Sequence, residues 1–231
     1  MNHGWETLAD GVFRCRLPFL DVTVGLVRGA LGTLLIDCGT TLSEASGIAD
    51  DVRALTGSAV AHLVMTHHHF DHVLGCGGFP GARIHAGPGV SEALGSRIEQ
   101  TGAEAVRHGA DPSDVSAAIR RARKPDHVLA LRTEIDLGDR LVTVEHPGRG
   151  HTDHDLIVVV PGDPPVVFCG DLVEESADPA IDGDSDLRAW PATLDRVLRL
   201  GGEDAIYVPG HGAVVDAAFV RAQREWLAAR S

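Results

Sequence analysis

Short apolar runs bounded by glycine, proline or acidic residues alternate along this chain with longer stretches of helical character. The helical pattern covers 43–56, 190–200 and 216–230, and the first of these begins at Ser43-Glu44 and stops at Gly57. Pro191 suits the first turn of the second helix. Strands and helices alternating in each half predict an α/β layered fold rather than an all-β sandwich. The predicted strands lie near 22–28, 32–37, 60–65, 82–85, 128–132, 139–145, 156–160, 165–169 and 204–208.

Residues 87–125 are rich in alanine, glutamate and arginine and predict two or three helices, interrupted at 109–112. Two interpretations stay open for this stretch, a lid that shapes a site and a solvated helical cover. The length of 231 residues and the 44% hydrophobic content support one domain over 1–231. The helical stretch is then an insertion in that domain.

The heptapeptide 66–72 reads Thr-His-His-His-Phe-Asp-His and directly follows an apolar run. In an extended segment, side chains two positions apart share a face, so His67 and His69 can converge on one metal ion. Asp71 and His72 follow after a turn and can face a second ion. A solvated histidine-rich turn is the alternative, and further segments of the chain decide between the two.

Three later segments repeat one arrangement, in which an apolar run is followed by a small residue and then a potential metal ligand. His151 comes after Gly150, Asp171 after Gly170 and His211 after Gly210. Ligands at the ends of adjacent strands meet at one edge of a sheet, and glycine allows the backbone to approach closely. Together with the heptapeptide, these segments favour a metal centre.

With these motifs the chain resembles the metallo-β-lactamase-fold hydrolase superfamily, from about Val12 to His211. The run 34–39, Leu-Leu-Ile-Asp-Cys-Gly, is similar to an early strand of that family and its acidic turn. The resemblance implies a four-layer αββα sandwich and a glyoxalase II-like centre with two metal ions. Only twenty residues follow His211, so a glutathione-binding C-terminal domain is not expected. The implied ligands are His67, His69 and His151 for one ion and Asp71, His72 and His211 for the other, with Asp171 bridging both.

The implied chemistry is hydrolysis by a hydroxide shared between two divalent ions, which we expect to be Zn²⁺, with iron or manganese as alternatives. Two ions about 3.5–4 Å apart lower the pKa of a shared water towards neutrality. Asp71 would orient this water and accept its proton, which makes it the catalytic residue. Asp37, Thr66 and Thr152 are candidates for holding the imidazoles in place.

Departures from the family pattern narrow the substrate to a small-molecule ester, thioester, lactone or amide. True β-lactamases usually lack a bridging carboxylate at the position of Asp171, and lactonase-like members often carry a tyrosine soon after it, where this chain has Leu172. Flavodiiron-type members commonly have glutamate at the position of His69. The alternatives are an iron-dependent oxidoreductase of the sulfur dioxygenase type, true β-lactamase activity, or a binding protein that keeps the metal without turnover.

Three further residues are predicted to contact the substrate: Glu174, Trp190 and His154. The segment from Glu174 to Asp186 is acidic and loop-like, and it follows Asp171 closely. If it lines the pocket it disfavours strongly anionic substrates; solvated loop charge is the alternative. Trp190 offers a broad apolar surface with one donor, and a core anchor is its alternative role.

Composition limits the partners to small molecules. A net charge of −13 would repel a polyanion, so no nucleic-acid partner is expected. The chain has no apolar run of about 18 residues and no signal-peptide pattern at its start, which predicts no membrane partner and a cytoplasmic location. The four cysteines form no CxxC pair and are expected to be buried thiols in a reducing compartment. No feature of the sequence sets the oligomeric state.

Overall fold

A computed structural model describes residues 1–231 and contains two β-sheets. The first sheet runs in chain order from β1 to β7, antiparallel as far as β4 and parallel from β4 to β7. Its strands are β1 (Glu6–Ala9), β2 (Val12–Arg16), β3 (Thr23–Gly29), β4 (Gly32–Ile36), β5 (His62–Met65), β6 (Arg83–Ala86) and β7 (His127–Val128).

The second sheet has the order β12-β11-β10-β9-β8 and is antiparallel except for the pairing of β11 with β12. The parallel pair places the ends of β11 and β12 at the same edge. Its strands are β8 (Arg132–Asp136), β9 (Leu141–Glu145), β10 (Ile157–Val160), β11 (Val166–Glu174) and β12 (Ile206–His211).

Helices cover the outer face of each sheet. The 3₁₀ helix Leu74–Gly78 directly follows the shortest α-helix. None of the helices combines the length and apolar character that a membrane span requires. The α-helices are α1 (Leu42–Thr56), α2 (Phe70–Val73), α3 (Pro88–Ala93), α4 (Ile98–Arg107), α5 (Pro112–Arg121), α6 (Trp190–Gly201) and α7 (Ala217–Ala228).

Three apolar cores separate four layers, which confirms the αββα sandwich. A cluster of 27 buried residues lies between the first sheet and the helices α1, α4 and α5. A second cluster of 15, including Leu34 and Phe168, lies between the two sheets. A third cluster of 13 joins the second sheet to α6 and α7. Burial of apolar side chains on both faces of each sheet is what drives this stacking.

Local signals account for the boundaries of α1. Thr41 and Glu44 form a capping box at its start, and Gly57 ends it in the left-handed conformation, with φ 74°. The helix begins at Leu42, one residue before the predicted start. Between β6 and β7 the structure has three helices, and the break between α4 and α5 lies close to the predicted interruption at 109–112.

Several strand predictions need correction. The sequence pattern did not predict β1 and β2, and the predicted strand 128–132 is replaced by β7 and β8, which flank it. The predicted strand 165–169 continues to Glu174, so Asp171 lies inside β11 rather than after it. Gly170 explains the difference, since its φ of 52° shifts the register of β11 against β12 and allows the strand to continue.

The two sheets meet beside the strand ends that carry the predicted ligands. An isolated antiparallel bridge joins Val22 to His211, and the buried Arg14 donates from Nη1 to the Gly212 carbonyl over 2.9 Å. Gly210 allows β12 to approach β11, because a Cβ at this position would overlap Asp171 Oδ1.

Candidate metal centre

The structure brings together all seven residues that the sequence predicts as metal ligands. They arrive from five places: the loop after β5, helix α2, the loop after β9, strand β11 and the last residue of β12. All but His69 and His211 are buried. They form two neighbouring groups of possible ligands: His67, His69, His151 and Asp171 in one, and Asp71, His72 and His211 in the other. We call the imidazoles of the first group the first half, and the second group the second half.

The first half presents one nitrogen of each imidazole to a common point. His69 Nδ1 lies 2.9 Å from His151 Nε2. His67 Nε2 and His151 Nε2 lie 3.6 and 3.5 Å from Asp171 Oδ2. Ligand atoms about 2.0–2.2 Å from a tetrahedral ion are separated by about 3.3–3.6 Å. Most of these spacings fit a shared cation.

The second half has a similar spacing with a carboxylate in place of one imidazole. His72 Nε2 and His211 Nε2 are 3.4 Å apart. Asp71 Oδ2 lies 3.5 Å from the first of these nitrogens and 3.4 Å from the second. This mixed set of nitrogen and oxygen donors suits zinc, and iron or manganese accepts it as well.

Asp171 contacts both halves. Its Oδ1 lies 3.3 Å from His72 Nε2, and its Oδ2 lies 3.3 Å from His211 Nε2 in addition to the two imidazoles of the first half. His67 Nε2 and Asp171 Oδ1 are buried atoms with no hydrogen-bond partner. Buried polar atoms are nearly always partnered, so these two atoms fit a divalent cation between the halves.

The outward nitrogens of His67 and His72 are held by one small network. His72 Nδ1 donates to Asp37 Oδ2 over 2.9 Å, and Thr66 Oγ1 donates to the same oxygen over 2.9 Å. His67 Nδ1 lies 3.0 Å from Thr66 Oγ1. A partner on the far nitrogen fixes both the tautomer and the ring orientation of a ligand imidazole. Asp37 and Thr66 therefore do what the sequence proposed for them.

The other outward nitrogens find partners on loops. His151 Nδ1 donates to the Ala180 carbonyl over 3.2 Å, and His211 Nδ1 to the Leu20 carbonyl over 2.7 Å. His69 Nε2 lies 3.5 Å from Asp184 Oδ2. Thr152 contacts none of the imidazoles; its hydroxyl donates to Asp155 Oδ1 over 2.8 Å, so its predicted supporting role is wrong.

The pKa values of the histidines also differ between the two halves of the centre. Burial, together with the neighbouring imidazoles, lowers the pKa of His67 well below its ordinary value and that of His151 to about 4. Burial also opposes the charge on His72 and His211. There the carboxylate of Asp171 prevails, raising the pKa of His72 well above its ordinary value and that of His211 to about 9. His69 is the exception in the first half, since Asp184 raises its pKa against the effect of burial.

A cleft of about 280 Å³ opens over the two halves. Leu20 and Phe70 supply apolar lining, and Glu174 contributes a carboxylate whose Oε1 accepts from the Ser176 hydroxyl over 2.6 Å. Glu174 thus lies where the sequence predicted a substrate contact. A larger groove of about 640 Å³ beside the start of α1 contains no group of possible metal ligands. We therefore place the chemistry in the smaller cleft.

Two predicted substrate contacts do not line the cleft. Trp190 is completely buried among α6, α7 and the second sheet, and its Nε1 donates to the Leu172 carbonyl over 3.0 Å. Its ring lies behind His151, with the centroids 5.7 Å apart, so it is the core anchor that was its alternative role. His154 stacks on His146 away from the cleft, with the centroids 5.4 Å apart.

The cleft also contains residues that sequence reasoning passed over. Glu104 and His108 come from the end of α4, and the His108 ring lies 5.2 Å from that of Phe70. The helices at 87–125 therefore contribute to the lining as well as covering the first sheet. No spacing in the sequence marks Glu104 or His108, because their position depends on how α4 packs against α2.

Comparison with known proteins supports the assignment of this fold. The family model of the metallo-beta-lactamase superfamily matches residues 17–211. The chain belongs to the metallo-β-lactamase superfamily.

Two curated proteins are similar to parts or most of the chain. The metallo-beta-lactamase type 2 of Bacillus cereus is 29% identical over 86 residues, which cover 36% of this chain and 33% of that protein. The atrochrysone carboxyl ACP thioesterase of Aspergillus fumigatus is 22% identical over 222 residues, which cover 93% of this chain and 45% of that protein. The chain spans less than half the length of either relative.

Solved structures of metallo-β-lactamases share the fold. DIM-1 exposed to ceftazidime is similar with a TM-score of 0.77 and 17% identity, over 99% of this chain and 98% of that one. FIM-1 from Pseudomonas aeruginosa in its mono-zinc form has a TM-score of 0.77 and 16% identity, over 99% and 96%. The enzyme from Pontibacter korlensis has a TM-score of 0.73 and 20% identity, over 98% and 99%. At these identities the likeness establishes the fold alone.

Proposed function

We propose that this protein is a metal-dependent hydrolase that holds two divalent ions, which we expect to be Zn²⁺, and cleaves a small-molecule ester, thioester, lactone or amide. The observation that carries the proposal is the position of Asp171, whose Oδ2 lies 3.3–3.6 Å from nitrogens of both halves. A protein that held a single ion would not need a carboxylate between two sets of imidazoles. Among the four bonds, the thioester is the first to test, because the relative matched over 93% of the chain is named a thioesterase.

Both halves of the centre would contribute to this reaction. Divalent ions held there supply Lewis acidity to the substrate carbonyl and to a water nucleophile. Asp171 fixes the two sets of ligands relative to each other. Asp71 lies at the floor of the cleft with Oδ2 between His72 and His211, where it can orient an attacking water and accept its proton.

The cleft also selects by charge. Besides the predicted ligands it is lined by carboxylates, and neither lysine nor arginine lines it. Beyond the metal ions, an anionic group on the substrate would be repelled by these carboxylates with no lysine or arginine to offset them, whereas a neutral or cationic group would not be repelled. Penicillins carry a carboxylate beside the lactam ring, so the lining favours other carbonyl substrates over them. The carboxylates concerned are Glu104, Glu174, Asp178 and Asp182.

The test combines elemental analysis of metal-replete protein with a chromogenic screen of esters, thioesters, lactones and lactams. We expect two ions per chain and hydrolysis of at least one non-lactam class, with an uncharged acyl group preferred over its matched carboxylated analogue. Chelation should abolish activity and re-addition of metal should restore it. Thiol-directed reagents should have no effect, because all four cysteines are buried. Asp71→Asn removes the carboxylate charge of the second half and should abolish activity while the first-half ion is retained.

Other outcomes separate the competing functions. One iron per chain with oxygen-dependent turnover of a thiol or persulfide would support the oxidoreductase of the sulfur dioxygenase type instead. Two ions without turnover of any substrate class would support a binding protein. Preference for lactams in the screen would establish β-lactamase activity and would contradict the argument from the acidic lining.

A further inference from the structure

His68, the second of the three consecutive histidines in the heptapeptide, is not a predicted metal ligand, yet it contacts a carboxylate. His68 Nε2 lies 2.9 Å from Asp184 Oδ2, and the same oxygen lies 3.5 Å from His69 Nε2. Asp184 belongs to the irregular segment 175–189 between β11 and α6, which we call the acidic loop. One carboxylate oxygen therefore joins the acidic loop to two consecutive histidines of the metal-binding segment.

The outward nitrogen of His69 depends on this contact. His69 directs Nδ1 towards His151, so Nε2 is the nitrogen left for an outer partner. Among the five ligand imidazoles, His72 has the carboxylate of Asp37 in this role and His69 has that of Asp184. A carboxylate on the far N–H of a ligand imidazole fixes the ring and makes it a stronger donor to the metal.

The acidic loop holds a second ligand of the first half as well. Its Ala180 carbonyl accepts from His151 Nδ1 over 3.2 Å, and Ser185 Oγ donates to the His151 carbonyl over 2.8 Å. Residues of the same loop, Asp178 and Asp182, line the cleft. The loop that lines the cleft is thus also the loop that contacts two of the three imidazoles of the first half.

We propose that Asp184 is a positioning residue for the first half of the centre, held in place by His68 and placed 3.5 Å from the outward Nε2 of His69. Through this contact the acidic loop sets the affinity and ligand field of one ion and leaves the other unchanged. The inference rests on the proposed metal centre. It also assigns His68, which lies between two ligands, the role of a clamp on the loop.

The test uses Co²⁺ as the probe, added to metal-free protein and followed by its visible absorption and by competition with a chelator. Asp184→Asn keeps the shape of the side chain and removes its charge. We expect it to weaken the first-half Co²⁺ site about 10- to 100-fold and to shift the spectrum of that site, while the second-half site stays within about twofold. His68→Ala should cause a smaller loss at the same site. Asp186→Asn, on the same loop but outside the cleft and without a histidine contact, is the control and should match the wild type in Co²⁺ affinity and spectrum.

Three results would overturn the inference. The first is an Asp184→Asn variant with wild-type affinity and spectrum, and the second is an equal loss at both sites. The third is a wild type that binds three Co²⁺ ions and a variant that binds two, since His68, His69 and Asp184 would then hold an ion of their own. A wild type that binds two ions and hydrolyses esters, with Asp184→Asn unaffected, refutes only this inference. A wild type that binds no metal refutes the proposed function as well.

Discussion

The two halves of the centre differ in how they are prepared for a cation. In the first half, His67 and His151 have lowered pKa values and are neutral at pH 7, with their inward nitrogens free to bind metal. In the second half, His72 and His211 lie against carboxylates and have raised pKa values, so protons occupy them in the metal-free protein. Protons there stabilise the buried carboxylates, and a metal ion must displace them.

The halves also differ in the structure that supports them. His72 is fixed by Asp37, which follows β4 directly, and His211 ends β12 and bridges to Val22 beside β3. His69 and His151 are fixed instead by the acidic loop. The acidic loop, which lines the cleft, therefore supports two of the three first-half imidazoles, whereas His67 shares the Asp37–Thr66 network with His72. The comparison teaches that one centre with seven predicted ligands can combine a half whose imidazoles have raised pKa values with a half in which most imidazoles have lowered pKa values and depend on a loop.

Removal of the bridge should produce the largest effect, because Asp171 is the one residue that both halves share. We expect Asp171→Asn to weaken binding of both ions and to reduce kcat/KM by about 1000-fold or more. Elemental analysis after dialysis and the kinetics of the best substrate measure the two effects. Asp178→Asn, a carboxylate of the cleft outside the centre, is the control. Loss of one ion only would assign Asp171 to a single half.

Removal of one imidazole from each half should divide the centre. His67→Ala should lose the first-half ion and retain the other, and His211→Ala should do the reverse, with affinity at the altered site reduced about 100-fold or more. Titration with Co²⁺ distinguishes the two remaining ions by their spectra. If each variant still binds two equivalents, the assignment of ligands to halves is wrong.

The segments that carry the ligands could be predicted because each combines an apolar, strand-forming run with a nearby histidine or aspartate. Apolar runs predict β5, β9, β11 and β12, and a histidine or aspartate lies in or shortly after each of these strands. The alternation of these runs with helices predicts α/β layers, whereas the four-layer arrangement was implied by the resemblance to the metallo-β-lactamase superfamily. Local sequence therefore carries the candidate ligands, and the resemblance adds their division between two ions.

The features that the sequence did not predict depend on packing between residues that are far apart in the chain. Strand β2 was hidden because Arg14 interrupts its apolar run, and this arginine is buried only because Glu6 Oε2 and the Gly212 carbonyl accept its hydrogen bonds. The direction of Trp190 depends on how α6 lies on the second sheet. The contacts of Asp184 depend on the path of the whole acidic loop. Spacing along the chain contains none of this information.

The pH dependence of metal binding should sharpen the difference between the halves. The pKa of His211 is about 9 in the metal-free protein, so below pH 9 a second-half ion must displace its proton, and the apparent affinity falls as the pH falls. We expect a decrease of about tenfold per pH unit for each proton displaced, between pH 9 and pH 6.5. In the first half, His151 is already neutral above about pH 4, so the slope there should be smaller, with His69 as its main source.

His67→Ala isolates the second half for this measurement and His211→Ala isolates the first. Chelator competition at several pH values gives both slopes, after correction for protonation of the chelator. Equal slopes would show that the protons are shared across the whole centre and would remove the distinction between the halves.

The smallest effect on activity should come from substitution of Trp190, whose ring packs behind His151 of the first half. Trp190 is fully buried against His151, whereas Trp226 on α7 is only partly buried and packs under the Arg230 guanidinium. Trp190→Phe removes the hydrogen bond from Nε1 to the Leu172 carbonyl and leaves a small cavity, which should lower the free energy of unfolding by about 1–3 kcal/mol. Trp226→Phe, the matched control, should change it by less than about 0.5 kcal/mol. Urea unfolding of the metal-free proteins measures both values.

Metal content and the ratio of kcat/KM for a small and a large acyl group should be unchanged in the folded Trp190→Phe protein, because this ring supports His151 from behind and does not line the cleft. A changed substrate ratio with unchanged stability would return Trp190 to the pocket and would mean that the cleft extends behind the first half.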